Sequence, residues 1–61
     1  MPYTGTYAAF VRYSDGTPEK RWEGLRRTQA KWRYHWIARR YGVDPAYRNA
    51  RQWGWEREWQ A

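Results

Sequence analysis

Apart from its alanines, this chain holds almost no aliphatic side chains: Val11, Leu25, Ile37, Val43 and Met1 are all there are. Aromatics are plentiful, with six Trp, six Tyr and one Phe in 61 residues. A chain this short sits near the lower limit for folding alone, and without cysteine it has no disulfide to help. Its core therefore has to be built mainly from rings. Large aromatics bury much area per residue, which offsets the conformational entropy lost on ordering the chain. Residues 1–61 support one small domain at most.

Residues 1–5, MPYTG, read as a loose lead-in. Thr6–Ser14 is rich in aromatic and β-branched residues and predicts a first strand. Asp15-Gly16 is a two-residue hairpin signal, and Lys20–Leu25 is the returning strand. That turn sets Ser14 opposite Thr17, Arg12 opposite Glu19, Ala9 opposite Trp22 and Ala8 opposite Glu23. Arg12 and Glu19 then form a cross-strand charge pair. Pro18 falls opposite Tyr13, where its missing N–H does no harm on an edge strand. One face becomes Tyr7, Ala9, Val11, Tyr13 and Trp22, and is expected to be buried. The other, with Phe10, Arg12, Glu19, Arg21 and Glu23, is expected to be wet apart from Phe10.

Arg27–Tyr41 predicts a helix, because Ala30, Tyr34, Ile37 and Tyr41 recur at spacings of four, three and four and share a stripe. Gly42 suits its end, and Thr28 is the best N-cap candidate at its start. Gln29, three residues after Arg26, supplies half a capping box. Asp44-Pro45 reads as a cap with proline at the first helical position, opening one short turn over Pro45–Asn49. Ala50–Trp59 alternates, with Trp53, Trp55 and Trp59 on one side and Gln52, Gly54, Glu56 and Glu58 on the other, which predicts a third strand. A right-handed crossover places it beside the first strand. The expectation is an α+β domain of ββαβ order: strands 6–14, 20–25 and 50–59, helix 27–41, and a three-stranded antiparallel sheet of order 2-1-3 with the helix on one face. Two edges are left free, and a weak homodimer is expected, through the edge of the third strand or through the Trp32/Trp36 face; charge repulsion across a two-fold axis on that face favours the strand edge.

Chemistry-bearing patterns are sparse. The chain has one His and no Cys, and its five glycines are scattered rather than gathered in a phosphate-binding loop. Asp15 belongs to a turn and Asp44 to a cap, while Glu19, Glu23, Glu56 and Glu58 alternate on a wet face. His35 has no carboxylate partner and reads as a surface residue. The expectation is a protein that is not an enzyme and uses no metal or cofactor. No apolar run is long enough for a signal peptide or membrane span, so a cytoplasmic location without a membrane partner is expected.

The charge has one address. Residues 1–25 and 42–61 each balance three cations with three acids, so the whole net charge of +6 falls on residues 26–41, RRTQAKWRYHWIARRY. On a helical wheel of about 100° per residue, Trp32 and Trp36 lie opposite the core stripe, flanked by Lys31 and Arg39 on one side and Arg33 and Arg40 on the other. A soluble helix usually keeps Trp off that side. Arg27–Lys31 is an i, i+4 like-charge pair and Lys31–His35–Arg39 continues that row; each such pair costs roughly 0.2–0.5 kcal/mol, a repulsion that a bound polyanion relieves. Two functional readings follow. In the first, Lys31, Arg33, Arg39 and Arg40 neutralise phosphate while Trp32 and Trp36 stack on bases, making the helix face a nucleic-acid site. In the second, the same six residues dock on an acidic protein surface, since Trp and Arg dominate interface hot spots. A third arrangement, in which the chain end or the 42–50 connection folds back over both Trp, leaves no site.

Four segments together span most of the chain: SDGT (Ser14–Thr17), WEGL (Trp22–Leu25), QAKWRYHW (Gln29–Trp36) and GWERE (Gly54–Glu58). In this layout the chain resembles small accessory proteins encoded by bacteriophages. The resemblance implies a stoichiometric inhibitor or adaptor that binds a host nucleic-acid-processing complex, such as transcription or anti-phage defence machinery including CRISPR effectors, in the host cytoplasm. It assigns no role to any single residue. Inhibitors that mimic DNA are acidic, whereas this chain is basic.

Overall fold

Three strands and one helix make up the computed structural model, which describes residues 2–60. In chain order they are β1 (Tyr3–Tyr13), β2 (Lys20–Leu25), α1 (Arg27–Arg40), a 3-10 turn (Pro45–Tyr47) and β3 (Ala50–Trp59). The sheet has order β2-β1-β3 with both pairings antiparallel, and α1 packs on one face. The fold is thus the α+β, ββαβ arrangement that the sequence predicts. No helix among the described residues is long and apolar enough to cross a membrane.

Small residues let the helix approach the central strand. Ala9 on β1 and Ala30 on α1 are fully buried, and Val11 and Ile37 are the largest side chains that are. Tyr47 and Ala50 join Val11 and Ile37 in the core, with Tyr13, Trp22 and Trp53 packed against it. The Cα trace measures 36 × 24 × 12 Å. In so thin a slab few rings can be enclosed, which is why Trp22, Trp53 and Trp55 are only half-buried.

The hairpin register holds in its middle, where Ala9 pairs with Trp22, Phe10 with Arg21 and Val11 with Lys20. It departs from expectation at both ends. The predicted Ala8–Glu23 pair is displaced by a bulge at Gly24 (φ 69°), so that Tyr7 pairs with Leu25. At the turn, the ladder stops at Lys20, and neither Ser14–Thr17 nor Tyr13–Pro18 pairing forms. The Asp15 carboxylate instead accepts from the Thr17 N–H (3.0 Å) and from the Asn49 side chain (2.9 Å), while the Asn49 carbonyl accepts from the Ser14 N–H (3.1 Å). The long-range anchor at Asn49 replaces the tight turn.

The lead-in is also corrected. Tyr3–Gly5 belong to β1, with Tyr3 opposite Trp59 across a bulge that contains Gly5 (φ 87°). Met1 lies outside the described residues. The helix begins after Arg26 rather than at a Thr28 cap: Gln29 Oε1 accepts from the Arg26 N–H at 2.9 Å. An arginine side chain has only donors and cannot return that bond, so half of the box forms. Tyr41, predicted in the core stripe, is the C-cap and 47% exposed, with its ring on Trp53 at 4.7 Å. The helix ends at Arg40, and Tyr41 has non-helical backbone (φ −60°, ψ 129°), so the helical spacing no longer sets where its ring points. The turn after Asp44 is shorter than expected, ending at Tyr47, with Asp44 accepting from the Ala46 N–H as a cap should.

Candidate functional site

The two faces of the sheet differ in charge. The open face carries Arg12 and Arg21 among Glu19, Glu23, Glu56 and Glu58, and they are paired. Arg12 bonds Glu19 and Gln52, Arg21 bonds Glu56 at 2.7 Å and approaches Glu23, and Glu58 takes the Gly24 N–H. Phe10 is sealed into this face. Its ring lies over Gly54, where an added Cβ would come within 3.1 Å of it, and the Arg12 guanidinium sits 4.5 Å above. A paired, slightly acidic lattice of this kind leaves no cation free for a polyanion.

The helix side is the opposite. Residues 27–40 contain no acid. Lys31 and Arg39 are exposed, and Trp32, between them, is 68% exposed, the most open of the Trp side chains described as exposed. Among the described residues, neither the chain end nor the 42–50 connection covers it. Trp32 forms a ridge between two shallow grooves. One, of about 390 Å³, is lined by Thr28, Lys31, His35 and Arg39 besides Trp32. The other, of about 520 Å³, is lined by Leu25, Gln29, Arg33 and Trp36. His35 sets its ring edge-on to Trp32 (6.2 Å) and to Tyr34 (5.2 Å), so it buttresses the ridge.

The six residues singled out from sequence do not play equal parts. Lys31, Trp32 and Arg39 are open to solvent. Trp36 is 48% exposed, but the Arg40 guanidinium lies 3.7 Å over its ring. Arg33 is half-buried, its guanidinium 4.9 Å over Trp22. Such cation–π contacts are worth roughly 0.5–1 kcal/mol at exposed sites and hold the guanidinium planes in place. Arg33 and Arg40 are therefore positioned cations, Trp32 an open ring and Trp36 a capped one.

Sequence reasoning missed a second cluster on the same side. The rings of Trp55, Tyr7, Tyr3 and Trp59 follow one another at centroid separations of 5.8, 5.9 and 5.6 Å. Arg27 approaches Trp55 (5.9 Å) and Arg57 approaches Tyr3 (5.5 Å). The Tyr7 hydroxyl is held below the usual tyrosine pKa, first by hydrogen bonding with Tyr3 and then by Arg57 and Arg27. The period-two spacing of Trp55, Arg57 and Trp59 is visible in the chain. What hid the cluster was treating Tyr3 as part of a loose lead-in.

Among the described residues, no group of three or more His, Cys, Asp or Glu is placed to hold a metal ion. The chain matches no protein-family model, no curated protein and no solved structure. The site thus stands on its own geometry: an exposed surface of arginine and aromatic side chains spanning the helix and one face of the sheet.

Proposed function

We propose that this protein is a non-catalytic module that binds nucleic acid through the outer face of α1. The observation that carries this reading is Trp32, 68% exposed on a helix without a single acid, with Lys31 and Arg39 free beside it. An exposed ring offers a stacking surface to a base, and the neighbouring cations meet the adjoining phosphates. Arg33 and Arg40, held on Trp22 and Trp36, keep N–H edges available for phosphate. Nothing in the pattern reads base edges, so binding is expected to tolerate sequence.

With about four phosphates neutralised, log K should fall with log salt at a slope of roughly −3 to −4. Titration against an oligonucleotide at several salt concentrations is the test. A flat salt response, or no binding at low salt, rejects the reading.

The groove lined by Leu25, Trp32 and Trp36 favours a second reading, in which a protein partner with an acidic surface docks there. A phage-encoded inhibitor or adaptor of a host complex would act this way. Capture of one stoichiometric partner that survives nuclease would support it over the first reading.

A further inference from the structure

The aromatic row on the sheet is unlike the core rings. It begins beside the N-terminus of α1, where Trp55 and Tyr7 are half-buried, and runs outward to Tyr3 and Trp59, which are 39% and 52% exposed. These rings are costly to leave wet, and a chain needing only a core has no use for them there. They lie about 6 Å apart, one guanidinium stands by Trp55 and another by Tyr3, and Tyr7, Arg27, Trp55 and Arg57 line a shallow hollow of about 450 Å³. Glu56 also lines that hollow, but its carboxylate is held by Arg21 at 2.7 Å. The ligand these groups fit is therefore anionic and flat-ringed. In a duplex the flat faces of the bases are stacked on one another, so the fit is to an unpaired strand.

We propose that this row is a second stacking platform for single-stranded nucleic acid, continuing the strand held at Trp32. The inference rests on the function proposed above. The two platforms are joined along α1: Arg27 and Lys31 are one helical turn apart, about 6 Å along the axis, and Lys31 adjoins Trp32. A strand stacked on Trp32 passes Lys31 and Arg27 with its phosphates and delivers its next bases to Tyr7, Tyr3 and Trp59. The paired, acidic opposite face of the sheet is left unused.

The test is fluorescence anisotropy with a labelled oligothymidine of about twelve nucleotides, long enough to exceed a single small binding module's shorter site sizes. Wild type is compared with Trp32→Ala, with Tyr3→Ala/Trp59→Ala and with Arg57→Gln, each checked for native folding by circular dichroism. The double variant is expected to lose about ten-fold or more in affinity. Arg57→Gln, which removes no ring, should weaken binding and reduce the salt slope by about one. If both sheet variants bind within about two-fold of wild type while Trp32→Ala loses affinity, the second platform is rejected and the helix site stands. If Trp32→Ala binds normally while the sheet variants fail, the helix reading is what falls. A duplex of the same length bound as tightly, with the same losses, would overturn the assignment to single strands.

Discussion

The carboxylate of Glu58 on β3 accepts a 2.6 Å hydrogen bond from the backbone N–H of Gly24 on β2, reaching across the central strand β1. Gly24 adopts φ 69°, a conformation that favours glycine, and its bulge turns an N–H toward the open face. Arg21 and Glu56 make a parallel tie between the same two strands. The edges of the sheet are thus connected directly as well as through β1.

That bond gives the protein an acid-sensitive brace. The Gly24 N–H holds the Glu58 carboxyl below its ordinary value of 4.5, and Thr17 holds Asp15 below 3.8. Each folded-state pKa lies under the unfolded one, so the stabilisation is complete above the ordinary values and is lost as pH falls through the lowered ones. The urea midpoint should be flat near neutrality and drop at acidic pH. Glu58→Gln should lower it at pH 7 and converge on wild type in acid. A variant whose deficit stayed constant with pH would show that the bond owes nothing to the charge.

Gly54 is required for the space it leaves. Its backbone is not left-handed, but any side chain there meets the Phe10 ring, which Arg12 closes from above. Gly54→Val is expected to destabilise the fold by about 1–3 kcal/mol, as overpacking does. At about 4–8 °C per kcal/mol for a domain of this size, the loss is easily read in a thermal melt. Adding Phe10→Leu should recover part of it.

Ile37 and Trp32 should respond in opposite ways. Ile37 is fully enclosed against the core around Val11, and Ile37→Ala is expected to cost about 2–5 kcal/mol. A small domain has little more than that in total, so cooperative unfolding at 25 °C should be lost. Trp32→Ala removes a mostly wet ring and should change stability by no more than about 0.5 kcal/mol. Chemical denaturation of both variants makes the comparison.

Removing residues 50–61 should unfold the remainder. β3 supplies the second ladder of β1 and places Trp53 and Trp55 under the helix side. Two strands and a helix would be left with a core of little more than Val11, Ile37 and Tyr47. A truncated chain that still melted cooperatively by circular dichroism would contradict this account.

Local pattern by itself determined the elements and their order. Alternation in Ala50–Trp59, the spacing of Ala30 and Ile37, and the Asp44-Pro45 cap are properties of neighbouring residues, and the crossover rule then leaves one place for β3. The clustering of charge in residues 26–41 was likewise readable from the chain. Only the tertiary structure decided which rings stay wet. Trp32 and Trp36 stand at the same sequence spacing from residues of the core stripe, yet Arg40 lies over Trp36 while Trp32 stays 68% exposed. Tyr41 continues that stripe in sequence, but the helix has ended before it and its ring is left 47% exposed on Trp53. Tyr3 became part of an aromatic row because a bulge at Gly5 re-registers β1 so that it meets Trp59, fifty-six positions away. Burial and cross-strand neighbours depend on where distant backbone lies, and no periodicity within a segment encodes that.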